Sequence, residues 1–171
     1  MLYTIRRATE KDVPFLADIE MDAGEILREH GLDAVADMPV DPHGYFEDFQ
    51  APNSIFVAAD DRDQPVGFAL LMVKDNQAHL KELSVHRDHM KQGLGKKLIE
   101  AVENQSVEQG FQKITLTTYS DLSFNAPFYE RLGFDVFDPD KSWPEITAIR
   151  QDEKTRGLDI KPRVAMMKNL V

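Results

Sequence analysis

Two glycines and three lysines are grouped in the middle of the chain, where an apolar helix pattern begins. Gly93 and Gly95 allow a tight turn and carry no side chain that would keep a ligand from the backbone amides. The N–H groups of a helix's first turn, together with the helix dipole, can bind phosphate. Lys91, Lys96 and Lys97 add positive charge around this turn. The segment predicts a phosphate site, although the same residues also fit a plain turn before a solvated helix face.

Two common phosphate-binding motifs do not fit this turn. The dinucleotide-binding motif needs a third glycine three residues after Gly95, and this chain has Leu98 there. A Walker loop needs Gly-Lys followed by Ser or Thr, which the chain also lacks at this place. The turn therefore matches neither the dinucleotide-binding motif nor the Walker loop.

The turn resembles the signature of the GNAT superfamily of N-acetyltransferases, R/Q-x-x-G-x-G/A. In this chain the hexapeptide is Met90-Lys91-Gln92-Gly93-Leu94-Gly95, so that both glycines match and Met90 replaces the usual Arg or Gln. The resemblance implies that backbone amides from Gln92 to Lys96 bind the pyrophosphate of acetyl-CoA. It also implies a splayed parallel strand pair, whose unpaired main-chain groups bind the pantetheine arm.

A second stretch, from Asn125 to Phe134, resembles the same family, most closely in its F-Y-E-R-L-G-F end. The resemblance implies that Tyr129 protonates the departing CoA thiolate and that Asn125 contacts the cofactor. This chemistry is reasonable, because a phenol of pKa near ~10 stabilises a thiolate more than a neutral thioester. Asn125 is also a good helix N-cap. The alternative is that Tyr129 is a core aromatic beside Phe128 and Asn125 is only that cap.

Both resemblances together imply a set of residues that bind acetyl-CoA as cosubstrate, with no metal ion. They are Leu83, Ser84, Val85, Met90, Lys91, Gln92, Gly93, Leu94, Gly95, Lys96, Asn125 and Phe128.

An acceptor amine must lose a proton before it attacks a thioester. A primary amine of pKa near ~10.4 is mostly protonated at neutral pH, so a general base lowers the barrier. Glu82 is the best candidate, because it immediately precedes the expected cofactor-binding residues on the same strand. We expect burial to raise its pKa. A solvated carboxylate that balances Lys81 is an equal alternative, and His79 and Asp121 are weaker candidates for the base.

The elements that must position these residues follow from the hydrophobic periods. Thr9 to Asp12 fits a capping box before the first helix, although Pro14 favours a start at Asp12. Segment 30–52 is predicted to be a loop with one short helix at 45–49, and this loop and Trp143 could line the acceptor pocket. The later elements are predicted as strands 54–60, 65–73 and 78–85, a helix that stops at Gly110, strand 111–118, helix 126–132, strand 134–137, helix 144–156 and strand 163–168.

Antiparallel strands followed by one parallel crossover predict an α/β fold with a mixed, largely antiparallel sheet flanked by helices. We expect residues 1–171 to form one GNAT domain, since neither linker nor repeat is evident. The chain has no cysteine, a formal net charge of −10 and no apolar run of membrane-spanning length. These features favour a cytoplasmic protein that binds neither nucleic acid nor membrane.

The sequence thus predicts direct transfer of an acetyl group to a primary amine in a ternary complex. The acceptor, a small molecule or a peptide, is not identified, and a homodimer is one option for the assembly. A non-catalytic acyl-CoA-binding or regulatory module is the alternative function, for which Met90 is the one hint. An interaction domain without a cofactor would leave the glycine turn and its lysines without a purpose.

Overall fold

Alternating and continuous apolar segments form seven strands in the computed structural model, which describes all 171 residues. The strands are β1 (Thr4–Arg7), β2 (Ser54–Ala59), β3 (Pro65–Lys74), β4 (Gln77–Val85), β5 (Lys113–Tyr119), β6 (Asp135–Phe137) and β7 (Arg163–Asn169). The helices are α1 (Val13–Gly24), α2 (Asp33–Ala36), α3 (Gly44–Asp48), α4 (Leu94–Glu108), α5 (Ala126–Arg131) and α6 (Pro144–Thr155). Short 3₁₀ turns occupy Glu25–His30, Arg87–His89 and Leu158–Ile160.

The strand order is β1-β2-β3-β4-β5-β7-β6. The β1–β2, β2–β3, β5–β7 and β6–β7 pairs are antiparallel, whereas β4 and β5 are parallel. The parallel register covers Ala78 opposite Ile114 and His79 opposite Thr115. The predicted α/β fold with a mixed, largely antiparallel sheet and one parallel strand pair is therefore confirmed.

The chain divides into two compact units, the first formed by Met1–Met72 with Lys81–Asn104. Strand β2 is buried along its whole length. Helix α1 covers the core of this unit with Val13, Leu16 and Ile19, which are at most 4% exposed. These residues recur at helical spacing on one face, which is why this segment folds as an amphipathic helix.

The second unit is formed by Val73–Leu80 and Gln105–Val171. Its longest ladder joins β5 to β7, from Lys113 opposite Asn169 to Tyr119 opposite Arg163. The turn between β3 and β4 holds α6 in place, because the Asp75 carboxylate accepts hydrogen bonds from the N–H groups of Glu145 and Ile146, both at 2.9 Å. Glu145 in turn accepts a hydrogen bond from the Asp75 N–H. This reciprocal cap satisfies the first turn of α6.

Three local expectations need correction. Helix α1 begins at Val13, and Thr9 is not its N-cap; instead the Asp12 carboxylate accepts hydrogen bonds from the Thr9 N–H and hydroxyl at 2.7 and 3.1 Å. Segment 30–52 contains α2 besides the expected α3. Asn125 stands at the N-cap position of α5, but its side chain makes no capping hydrogen bond.

None of the helices combines the length and the apolar character of a membrane-spanning segment. No group of three or more His, Cys, Asp or Glu side chains is arranged to hold a metal ion.

Candidate active site

The glycine turn of the first unit opens helix α4, as the sequence predicts. Gly93 adopts a left-handed φ of +75°, and its carbonyl accepts the first helical hydrogen bond, from the Lys97 N–H at 3.2 Å. Leu94 and Leu98 are buried, at 2% and 0% exposure, and they anchor the start of the helix in the core. The N–H groups of the first turn have no intrahelical acceptor, so the turn presents backbone donors to an anion.

The chain enters this turn through a short 3₁₀ turn that is held by helix α1. The Asp22 carboxylate accepts a hydrogen bond from the Arg87 N–H at 2.8 Å, and it also binds the Arg87 guanidinium at 3.0 Å. On the same turn, His89 Nδ1 lies 2.9 Å from the Tyr3 hydroxyl. Contacts to α1 and to Tyr3, which immediately precedes β1, thus fix the backbone before the glycines, and a preorganised turn loses less entropy when it binds a ligand.

The lysines of the turn remain at the surface. Lys91, Lys96 and Lys97 are exposed, and Lys96 Nζ lies 3.9 Å from a carboxylate oxygen of Glu100. Lys91 itself adopts a positive φ of +62°, which is uncommon for a residue with a side chain. Met90, where the family signature has Arg or Gln, is partly exposed. These side chains add positive charge, while the backbone supplies the directed donors.

Glu82 lies on β4, partly buried, in the first unit. One carboxylate oxygen accepts a hydrogen bond from the Ser84 hydroxyl at 2.7 Å, because residues two apart on a strand share a face. Burial, aided by the negative charge of Glu20, raises the pKa of Glu82 to about 8, whereas the Ser84 hydroxyl and the Leu83 N–H oppose that shift. The expected rise in the pKa of Glu82 is confirmed.

The alternative interpretation, in which Glu82 balances Lys81, does not match the contacts. Lys81 Nζ donates a hydrogen bond to Asp48 of α3 at 2.8 Å. Lys81 is also exposed, so water screens its influence on Glu82. Lys81 therefore does not contact the Glu82 carboxylate directly. Because no cation is in direct contact with this carboxylate, its pKa can stay high.

Glu20 and Tyr45 complete the surroundings of Glu82. The sequence predicts Tyr45 only as part of a loop segment that could line the acceptor pocket, and no pattern assigns a role to Glu20. Tyr45, on α3, is buried at 7% exposure with its ring edge-on to Phe68 at 5.1 Å between centroids. Its hydroxyl donates a hydrogen bond to the carboxylate of Glu20 on α1. Burial raises the pKa of Tyr45, and the charge of Glu82 adds to that rise. Helices α1 and α3 thus place a tyrosine and a second carboxylate in the electrostatic neighbourhood of Glu82.

Gly67 on β3 lies against the end of β4. A Cβ at position 67 would lie 3.1 Å from the Ser84 carbonyl oxygen and 3.2 Å from Val85 Cγ2. A glycine inside a strand pattern signals such a close backbone approach, so this position could have been found from the sequence. Gly67 sets the backbone position of Ser84 and Val85, two of the residues expected to bind the cofactor.

In the second unit, Asn125 and Tyr129 lie at the start and in the middle of α5, as the sequence predicts. The Asn125 carbonyl accepts a hydrogen bond from the Tyr129 N–H at 3.1 Å. The Asn125 side-chain oxygen Oδ1 is buried and has no hydrogen-bond partner. An unsatisfied buried acceptor costs about 1–3 kcal/mol, so Asn125 fits a ligand that brings an N–H or O–H donor.

Tyr129 is also part of a small aromatic cluster. It is buried at 8% exposure, and its ring lies edge-on to Phe128 and Phe134, with centroids 5.2 and 5.7 Å apart. Gly133, at a φ of +92°, follows α5 and allows the Phe134 N–H to donate to the Tyr129 carbonyl at 3.1 Å. These contacts fix the Tyr129 ring, so that a packing role and a catalytic role are compatible in one residue.

The remaining candidates of the second unit have other partners. His79 is buried at 3% exposure, with Nδ1 2.9 Å from the Thr115 hydroxyl. Asp121 is exposed and accepts a hydrogen bond from the Ser120 hydroxyl at 2.9 Å. Trp143 packs edge-on against Phe137, with centroids 5.3 Å apart. Hydroxyl groups of Thr115 and Ser120 thus engage the two weaker candidates for the base, His79 and Asp121.

The sequence matches the model of the Acetyltransferase (GNAT) family over residues 17–134, which is more than half of the chain. The chain belongs to the GNAT acetyltransferase family. Glu82, the glycine turn, Asn125 and Tyr129 all lie within the matched region, whereas Trp143 lies beyond it.

Known proteins similar to this GNAT chain cover it to different extents. N-acetyltransferase family 8 member 3 of Rattus norvegicus is 35% identical over 88 residues, which span 47% of this chain and 38% of the rat protein. The PaiA N-acetyltransferase of Thermoplasma acidophilum, solved in complex with coenzyme A, superposes with a TM-score of 0.74 at 18% identity and covers 99% of each chain. The ribosomal-protein-S18-alanine N-acetyltransferase of Escherichia coli gives 0.72 at 18% identity, over 99% of this chain and 94% of that one. At this identity the two structures show the fold.

Proposed function

We propose that this GNAT protein transfers the acetyl group of acetyl-CoA to a primary amine by direct attack in a ternary complex. The observation that carries the proposal is Glu82, a carboxyl whose pKa is raised to about 8 and whose oxygen is oriented by Ser84. A base works best when its pKa lies near the working pH. The family membership and the coenzyme A complex of the similar Thermoplasma protein support the choice of acyl donor.

The residues present fit acetyl-CoA, which would supply the acetyl thioester as electrophile. The amides at the start of α4 suit its pyrophosphate, and exposed Lys91 and Lys96 add charge beside them. Leu83 to Val85 lie on β4 beyond its short parallel ladder with β5, and their main-chain groups are proposed to bind the pantetheine arm. The buried, unpartnered Asn125 Oδ1 suits an amide N–H of that arm.

Glu82 is proposed as the base. It accepts the proton that the bound ammonium releases, directly or through water, and this leaves a nitrogen lone pair for the carbonyl carbon. The N–C bond forms as the C–S bond breaks, and Tyr129 donates its hydroxyl proton to the departing sulfur. The second proton that the nitrogen loses as it becomes an amide passes through water to the Tyr129 phenolate, which restores the acid. A phenol is a suitable acid because its pKa lies somewhat above that of a thiol. The chain contains no cysteine, so no cysteine acyl-enzyme intermediate is proposed.

The acceptor is proposed to be a small molecule or a peptide that carries a primary amine. The net charge of −10 favours a cationic acceptor over an anionic one. A cytoplasmic location is part of the proposal and is supported by the absence of cysteine. Assembly as a homodimer is a further option that sedimentation of the purified protein would test.

Calorimetric titration with acetyl-CoA is the first test, with a matched adenine nucleotide that lacks pantetheine as control. We expect one-to-one binding in the micromolar range, which weakens strongly without the pantetheine arm. A panel of primary amines is then screened for amine-dependent release of free thiol.

The two stages separate the possible functions. Binding followed by amine-dependent thiol release supports the transferase. Binding without release from any amine of the panel would favour a non-catalytic acyl-CoA-binding module. A folded protein that binds no acetyl-CoA would refute both functions.

A further inference from the structure

Three elements of the first unit surround Glu82 with an unusual combination of charged and polar groups. Helix α1 contributes Glu20, α3 contributes Tyr45 and Asp48, and β4 contributes Lys81 and Ser84 next to Glu82 itself. The one cation in this set, Lys81, binds Asp48 at 2.8 Å. The environment of Glu82 is therefore acidic, and its cation is engaged by a third carboxylate.

The Tyr45 hydroxyl is hydrogen-bonded to one of the two glutamates of this cluster. It donates to the Glu20 carboxylate, and burial together with the nearby glutamates keeps the tyrosine protonated by raising its pKa. A hydrogen bond donated to a carboxylate stabilises its charged form. Tyr45 is held for this contact by its packing on Phe68. The hydrogen bond from Tyr45 thus favours the charged form of Glu20, whose charge adds to burial in raising the pKa of Glu82.

We propose that Glu20 and Tyr45 are positioning residues for the Glu82 base, with the Tyr45 hydroxyl fixing a negative charge on Glu20 that makes the neighbouring Glu82 carboxylate a stronger proton acceptor. The inference rests on the proposed function for its catalytic meaning. Its physical content, which is the division of one proton between two carboxyls, can be measured without any substrate. Two interacting carboxyls titrate as a pair, so each must be observed separately.

The test uses the full chain labelled with ¹³C at the glutamate side-chain carboxyls, with the carboxyl resonances followed from pH 4 to 10. Glu82→Gln and Glu20→Gln identify the two resonances by their disappearance. In the wild-type protein we expect Glu82 to titrate near pH 8. In Glu20→Gln this midpoint should fall by about one unit or more, because a neighbouring negative charge is removed.

Glu47→Gln is the matched control, since Glu47 lies on the same helix as Tyr45 and is exposed. It removes one negative charge from the protein and should leave the Glu82 midpoint within about 0.2 units, because water and salt screen exposed charges. An equal shift in both variants would show a general charge effect and would overturn the proposal. An unchanged Glu82 midpoint in Glu20→Gln would overturn it as well.

Tyr45→Phe keeps the ring that packs on Phe68 and removes only the hydroxyl, so it tests the second half of the proposal. Without that donor, a fraction of the molecules should bind the proton taken up near pH 8 on Glu20 instead of on Glu82. The titration amplitude then appears on the Glu20 resonance as well. If the Glu20 resonance keeps its wild-type titration, the hydroxyl does not direct the proton and the proposal fails.

An activity profile distinguishes this failure from a failure of the proposed function. If the protein acetylates amines, the rise of kcat/KM with pH should move to lower pH in Glu20→Gln by the same amount as the Glu82 midpoint. A merely structural role would lower activity at every pH and leave the profile in place, which would overturn the inference. If no amine is acetylated while the midpoints shift as expected, the proposed function is wrong and the proton-sharing pair stands.

Discussion

Two glutamates, partly buried Glu82 in the first unit and buried Glu153 in the second, have neighbours of opposite charge. Glu82 receives a hydroxyl from Ser84 and has the negative Glu20 nearby, and burial raises its pKa to about 8. Glu153, at 5% exposure, binds Arg150 at 2.8 Å and Arg163 at 2.9 Å. Burial alone would raise the pKa of Glu153, but the two arginines and a hydroxyl hold it below its ordinary value.

The difference shows that burial alone does not decide what a carboxyl does. The Glu153 carboxylate also accepts a hydrogen bond from the Thr117 hydroxyl at 2.6 Å, so its charge is compensated on several sides. Such a group holds elements together and resists protonation. A carboxyl with one hydroxyl donor and a negative neighbour instead has a raised pKa, so that its deprotonated form accepts a proton more strongly, which is the property that a base for amines needs.

The largest expected effect is on activity in Glu82→Gln. If Glu82 is the base, kcat/KM for the amine should fall by a factor of about 10² to 10³, while the affinity for acetyl-CoA measured by calorimetry stays unchanged. The free energy of unfolding at pH 7 should not fall, because the unfolded carboxyl is ionised there and the folded one must take up a proton, a cost that glutamine does not have. Full activity in this variant would remove Glu82 from the mechanism. Glu47→Gln serves again as the exposed control.

Glu153→Gln should show the reverse pattern, with a loss of about 3 kcal/mol in the free energy of unfolding, since it leaves two partly buried arginines without their carboxylate. Urea denaturation followed by circular dichroism measures this loss. The exposed Glu108→Gln in helix α4 is a suitable control and should lie within about 0.5 kcal/mol of the wild type. A Glu153→Gln protein as stable as the wild type would contradict the structural role.

Tyr129→Phe tests chemistry in the unit that contains Glu153. The aromatic contacts to Phe128 and Phe134 remain in this variant, whereas the proposed acid is lost. We expect kcat to fall by a factor of about 10², with acetyl-CoA affinity changed less than about threefold. Equal losses in turnover and in affinity would instead assign Tyr129 to binding or packing.

The smallest effects concern the pH dependence of stability, where the two glutamates should have opposite signs. The pKa of Glu82 is raised on folding, so its stabilising contribution is complete below its ordinary value of 4.5 and is lost as the pH rises to about 8. The slope is at most about 1.4 kcal/mol per pH unit. The pKa of Glu153 is lowered, so its contribution is present above 4.5 and is lost as the pH falls below that value.

Urea titrations between pH 3 and pH 9 would separate the two windows. Relative to Glu82→Gln, the wild type should lose stability between pH 5 and pH 8. Relative to Glu153→Gln, it should lose stability only on the acid side. Parallel curves for the wild type and Glu82→Gln over pH 5–8 would contradict the raised pKa of Glu82.

Local patterns predicted most of the elements, because the strands and α4 have clear hydrophobic periods and the turns have their own residue types. The Gly93 turn and the Asn125–Tyr129 spacing are local as well, and the structure has both on the expected elements. The Tyr45–Glu20 contact joins residues 25 apart, and the Asp75–Glu145 cap joins residues 70 apart. No local pattern encodes such contacts, since they arise only when distant elements pack.

Gly67 leaves little room for a side chain beside the end of β4, and this limits which substitutions position 67 can accept. Because a methyl carbon at this position would lie only 3.1 Å from the Ser84 carbonyl oxygen, Gly67→Ala would require Ser84 or Val85 to shift by a few tenths of an ångström. Such a shift would move two of the residues that are proposed to bind the cofactor. In a mutational scan, position 67 should group with the ligand-contacting positions rather than with the other core positions of β3.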